Sequence, residues 1–88
     1  MSVFQGGSAY NMAMSVADGY IILTERTFKN YKPGEIAEFL FETDKLLRET
    51  RANQAPLDDQ EAVQKRQRKL QRLQQALTIG NAVRSRRR

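Results

Sequence analysis

Ala9-Tyr10-Asn11-Met12-Ala13-Met14-Ser15-Val16-Ala17-Asp18-Gly19-Tyr20-Ile21-Ile22-Leu23-Thr24 is the stretch whose reading decides the fold. Tyr10, Met12, Met14 and Val16 share one parity, while Ala9, Asn11, Ala13, Ser15 and Ala17 occupy the other. Period two is the mark of a strand with one apolar face. Tyr20 to Thr24 is rich in β-branched and aromatic residues. An Asp-Gly pair between two such runs predicts a hairpin, because a type I′ turn requires positive φ at both central positions. A two-residue loop would pair Val16 with Ile21 and Met14 with Leu23 on one face. The competing reading makes residues 9–17 a short helix, since Ala and Met favour helices. The Asp-Gly pair weighs towards the hairpin.

Towards the C-terminus, the second strand is expected to continue through Glu25-Arg26-Thr27-Phe28. Lys32-Pro33-Gly34-Glu35 opens a helix, with Pro33 suited to the first turn and Glu35 to the positive end of the dipole. Ile36, Phe39, Leu40, Thr43, Leu46, Leu47 and Thr50 recur at three- and four-residue steps, an amphipathic face that packs on the hairpin. Asp44 and Arg48 form an i,i+4 pair on its outer side, and Phe41 falls off the stripe, where a subunit contact could begin. Asn53-Gln54-Ala55-Pro56 ends this helix. Asp58 then caps another as N-cap, with Glu61 three residues on, and that helix is expected to run from 59 to about 80. Its apolar seam is narrow, Val63, Leu70, Leu73 and Leu77 with Arg66 interrupting, and reads as an oligomer or helix-packing seam. The expected fold class is α+β. A flexible N-terminus (1–8) precedes a body (9–54) in which a β-hairpin packs on an amphipathic helix, followed by a long basic C-terminal helix (55–80) and a basic tail (81–88).

The chain has 88 residues, enough for one small domain with a modest core. It contains no Cys and no His, which removes disulfides, thiol chemistry, the Ser-His-Asp triad and the usual zinc sites. That composition points away from an enzyme, from a cofactor and from a small-molecule substrate. Residues 1–57 hold six basic and seven acidic side chains, whereas 58–88 hold nine basic side chains against Asp58, Asp59 and Glu61. A near-neutral body thus carries a basic arm, which implies an acidic or polyanionic partner. The longest apolar run, Tyr20-Ile21-Ile22-Leu23, is far too short to span a bilayer, and Met1 to Gly7 lacks the features of a signal peptide. The expected location is the cytoplasm, or a particle assembled there, with no membrane partner.

Within the arm, Lys65, Arg66, Arg68, Lys69 and Arg72 form a basic set whose i,i+4 like charges cost an isolated helix about 0.2–0.5 kcal/mol each. Docking on phosphate or on an acidic protein surface would relieve them. Arg84, Arg86, Arg87 and Arg88 end the chain, and arginine's planar fork suits phosphate and carboxylate. Gln60, Gln64, Gln67, Gln71 and Gln74 make a polar row beside the seam. The carboxylates Asp58, Asp59 and Glu61 are explained by helix capping, and nothing suggests a catalytic or metal site.

The stretch from Ala17 to about Leu47 resembles the small head–tail joining (head-completion, connector) proteins of tailed bacteriophages. The resemblance rests on the Asp18-Gly19 turn, the residues Ile21 to Phe28, and Arg26-Thr27-Phe28 followed by Glu35-Ile36-Ala37-Glu38, together with the arginine-ended C-terminus. It covers roughly a third of the chain; the family usually places a helix ahead of its hairpin, and the long helix after Pro56 is an addition to its pattern. The resemblance implies a virion structural protein without catalysis. It would oligomerise in a ring at the portal, contact a portal, neck or tail protein, help retain packaged DNA and attach the tail. The alternative from the residues alone is a small nucleic-acid-binding or regulatory protein using the basic helix and Arg-rich tail.

Overall fold

A computed structural model describes residues 3–53 and 58–86, and among them there is no β-strand. The described residues form three α-helices and one 3-10 turn, so the expected α+β hairpin is corrected to a small helical bundle. α1 spans Ala9–Ala17 and buries Ala9, Met12, Ala13, Val16 and Ala17, the i, i+3, i+4, i+7, i+8 face of a helix. The alanines that fall on the polar parity of a strand are the residues that complete this face. Ser8 caps the start, its Oγ accepting the Asn11 N–H at 3.1 Å from an extended backbone.

The Asp-Gly pair ends this helix instead of turning a hairpin. Gly19 N–H donates to the Val16 carbonyl at 3.1 Å, and Tyr20 N–H to the Ser15 carbonyl at 2.9 Å. With Asp18 as C-cap and Gly19 at φ +84°, this is a Schellman motif, which also needs a left-handed residue after the helix. Tyr20 to Thr24 follows as irregular chain in which Leu23 is buried and Ile22 is exposed. The expected second strand becomes, over Glu25–Phe28, a 3-10 turn held by the Thr24 N–H donating to Thr27 Oγ1 at 3.1 Å. Phe28 is fully buried at its end, edge-on to Tyr31 at 5.3 Å and to Phe39 at 5.5 Å.

α2, Pro33–Ala52, follows its sequence pattern. Glu35 Oε1 accepts the Lys32 N–H at 2.8 Å, and the buried residues are Ile36, Phe39, Leu40, Thr43, Leu46 and Leu47. Asp44 and Arg48 pair at 2.9 Å, and Phe41 is exposed. α3 is Gln60–Arg86, one residue later at its start than Asp58 capping implies: the Asp59 carboxylate accepts the Ala62 N–H at 3.1 Å. It continues past Gly80, so residues 81–86 of the expected tail are helical. Gly80 is buried where α3 meets α2; a Cβ there would strike the Leu40 Cδ2 methyl and lie 3.3 Å from Leu40 Cγ. Glycine inside a helix costs about 1 kcal/mol relative to alanine, and this close approach is what it allows.

α3 packs against α2, α1 and the 3-10 turn, while α1 also packs on α2. At 1.5 Å per residue its 27 residues reach about 40 Å, most of the 46 Å long axis. The lead-in is also tied to this core: Phe4 is buried edge-on to Tyr31 at 5.5 Å, and Asn11 Nδ2 donates to the Gly6 carbonyl at 3.1 Å. Among the described residues no helix is long and apolar enough to cross a membrane.

Candidate functional site

Helical spacing places Lys65, Arg68, Lys69 and Arg72 on one side of α3, and the fold sets the end of α1 beside them. Together with Ala17, Asp18 and Tyr20 they line a surface groove of about 430 Å³. A second cleft, about 370 Å³, is lined by Val16, Gly19, Ile21, Ile22, Leu23, Arg72 and Gln75. Arg72 lines both.

The basic residues differ in what they do. Arg72 Nη1 donates to the Ala17 carbonyl at 3.1 Å, and its guanidinium lies 3.0–3.1 Å from where a Gly19 Cβ would stand. It thus satisfies a carbonyl at the negative end of α1. Lys69 Nζ sits 3.4 Å from Asp18 Oδ1, and Lys65 Nζ 3.4 Å from Glu61 Oε1. These carboxylates relieve part of the like-charge repulsion that the sequence places on the helix. Arg66 faces away from the groove's role: its Nε–H is shared between the Asn53 carbonyl at 3.0 Å and the Thr50 carbonyl at 3.2 Å, and Nη2 donates to the Arg51 carbonyl at 2.9 Å. The residue that interrupts the seam therefore caps α2. Arg68 lines the groove and, among the described residues, makes no side-chain hydrogen bond or ion pair.

The terminal arginines are not brought to this groove. Arg84 is exposed and follows Arg72 by about 18 Å along the helix axis. Arg86 Nη2 pairs with Glu25 Oε1 at 2.6 Å, beside Val83, Arg26 and Lys29 in a cleft of about 300 Å³. Arg87 and Arg88 lie outside the described residues.

The seam residues Leu73, Leu70 and Leu77 pack into the core of the chain itself, Leu73 fully buried and the other two half-buried, with Val63 half-buried nearer the helix start. Ala76, Gly80 and Val83 extend this face and carried no signal as isolated small residues. The glutamine row is exposed throughout. Among the described residues no three metal-ligating side chains cluster. Tyr20 is the groove residue that sequence reasoning missed; its place immediately after Asp-Gly is the signal, once that pair is read as a helix end. No family model, no curated protein and no solved structure matches this chain.

Proposed function

We propose that this chain is a non-enzymatic nucleic-acid-binding module whose ligand phosphates sit in the basic groove between α1 and α3. The observation that supports the reading is the convergence of Lys65, Arg68, Lys69 and Arg72 on one groove, with Arg68 uncommitted within the described structure. The pairs of Lys65 with Glu61 and Lys69 with Asp18 join exposed side chains, so little is lost when phosphate replaces the carboxylates. The Arg-rich end of α3 adds a separate basic contact. Binding of labelled oligonucleotides across a salt series tests the reading. Log affinity should fall linearly with log salt, by about 0.7 to 0.9 per phosphate neutralised, and Lys65→Ala with Arg68→Ala should shallow that slope. Salt-independent binding, or an unchanged slope in the double variant, would count against it.

Exposed apolar side chains favour a second reading. Ile22 is 87% and Phe41 67% exposed, and phosphate has no use for either. They suit subunit or neck-protein contacts in a bacteriophage connector that forms a ring at the portal, helps retain packaged DNA and attaches the tail in the virion. The missing hairpin removes the strand pair on which that resemblance drew, leaving the loop, α2 and the Arg-rich end. Solution mass separates the two readings: a connector assembles into a defined ring and holds duplex DNA weakly.

A further inference from the structure

We propose that the groove takes single-stranded nucleic acid, and that Tyr20 supplies the face on which a base stacks. This inference rests on the nucleic-acid reading and names the strand state and the side chain that sets it. Tyr20 is 83% exposed yet lines the same groove as Lys65, Arg68, Lys69 and Arg72. Its backbone is fixed, because its N–H closes the Schellman motif on the Ser15 carbonyl at 2.9 Å. The residue at this position of the motif commonly packs its side chain back on the last turn of the helix. Here the matching position on α1 is the polar Ser15, and the ring stays in solvent. A solvent-exposed aromatic ring on an anchored backbone, unused by the core, therefore lines the groove with four cations.

That pairing fits a single strand better than a duplex. Cations track the backbone while an aromatic side chain stacks on a base, and only an unpaired strand can offer a free base face. In B-DNA the bases are stacked inside, and readout requires an element that enters a groove about 12 Å wide. The side of α3 that carries Lys69 and Arg72 already has the end of α1 against it, Lys69 on Asp18 and Arg72 on the Ala17 carbonyl. These side chains reach phosphate at the rim of the groove and are held back from base edges at the floor of a major groove.

The test compares a fluorescein-labelled oligothymidylate with a duplex of equal length by fluorescence anisotropy over a potassium chloride series. The full chain, Tyr20→Ala, Tyr20→Phe and Arg68→Ala are measured side by side. The oligothymidylate should bind more tightly than the duplex. Tyr20→Ala should weaken it by about 5- to 150-fold with the salt slope unchanged, since a stacked ring contributes no counterion release. Tyr20→Phe should restore the affinity, and Arg68→Ala should reduce the slope by about 0.7. Tyr20→Ala should also keep the thermal midpoint of the parent, which separates lost stacking from lost folding. Tighter binding of the duplex, or parental affinity in Tyr20→Ala while Arg68→Ala is weakened, overturns the single-strand inference and leaves the nucleic-acid reading standing. Failure of the parent to bind either oligonucleotide overturns both.

Discussion

Tyr31 joins three parts of the molecule through one hydroxyl. Its oxygen lies 2.9 Å from the Val3 carbonyl and 3.1 Å from Met12 Sδ, and its ring meets Phe4 and Phe28 edge-on. Burial, and after it the Glu35 carboxylate, raises the phenol above its ordinary value of 10.0. The folded chain therefore holds this proton more tightly than the unfolded chain, and the associated stability is fully present below pH ~10 and lost as pH rises through the folded value. Tyr31→Phe should cost about 0.5–1.5 kcal/mol at neutral pH for the lost hydrogen bond, and the gap to the parent should narrow above pH ~10. Urea unfolding of both proteins over an alkaline series measures this, with lysine titration common to the pair; parallel curves would assign the alkaline loss elsewhere. At the same scale, Asp18-Gly19 was legible as a place needing positive φ and illegible as to why. A hairpin turn and a Schellman end both demand a left-handed glycine, so the pair cannot choose between them. The arbiter was Ser8 as N-cap together with Ala9, Ala13 and Ala17, small enough to be scored as the outer face of a strand yet buried in the helix.

Helix ends explain much of what α3 does for its neighbours. Its Arg66 satisfies carbonyls of Thr50, Arg51 and Asn53 at the end of α2, and its Arg72 does the same for Ala17 of α1. Arg66→Ala should destabilise the chain by about 1–2 kcal/mol, a charged donor to carbonyls that are partly solvated. Arg66→Lys should recover only part of that, because an ammonium cannot reproduce the planar fork that spans several acceptors. Denaturant midpoints of the three proteins check both expectations. The amphipathic stripe of α2 was readable because its partners are apolar and its period is unmistakable. The basic set of α3 was readable as a set and unreadable in its division of labour. The acceptors of Arg66 and Arg72 are backbone carbonyls on other elements, and backbone leaves no trace in side-chain pattern. Tyr20 was hidden for a related reason, since a strand assignment gives its ring a sheet face.

Across the whole molecule α3 is the axis on which α1, α2 and the 3-10 turn converge. Leu73 is fully buried at that convergence, so Leu73→Ala should lower the unfolding free energy of the dilute monomer by about 2–5 kcal/mol. That is a large share of the roughly 5–15 kcal/mol a small domain possesses. Leu70→Ala, at a half-buried position, should cost less. A Leu73→Ala monomer as stable as the parent, with only its association altered, would return the seam to an intermolecular role. The bond from Arg72 to the Ala17 carbonyl, 55 residues apart in the chain, also bears on how the protein comes into being. A nine-residue helix is too short to persist in water unaided. During synthesis α1 leaves the ribosome before α2 and α3; α2 supplies part of its packing surface, but the part on α3 and the arginine cap come only after most of α3 has followed. A helix translated ahead of both its partners is thus completed late, and a ribosome paused before Arg72 would display Ala9 to Ala17 without its arginine cap.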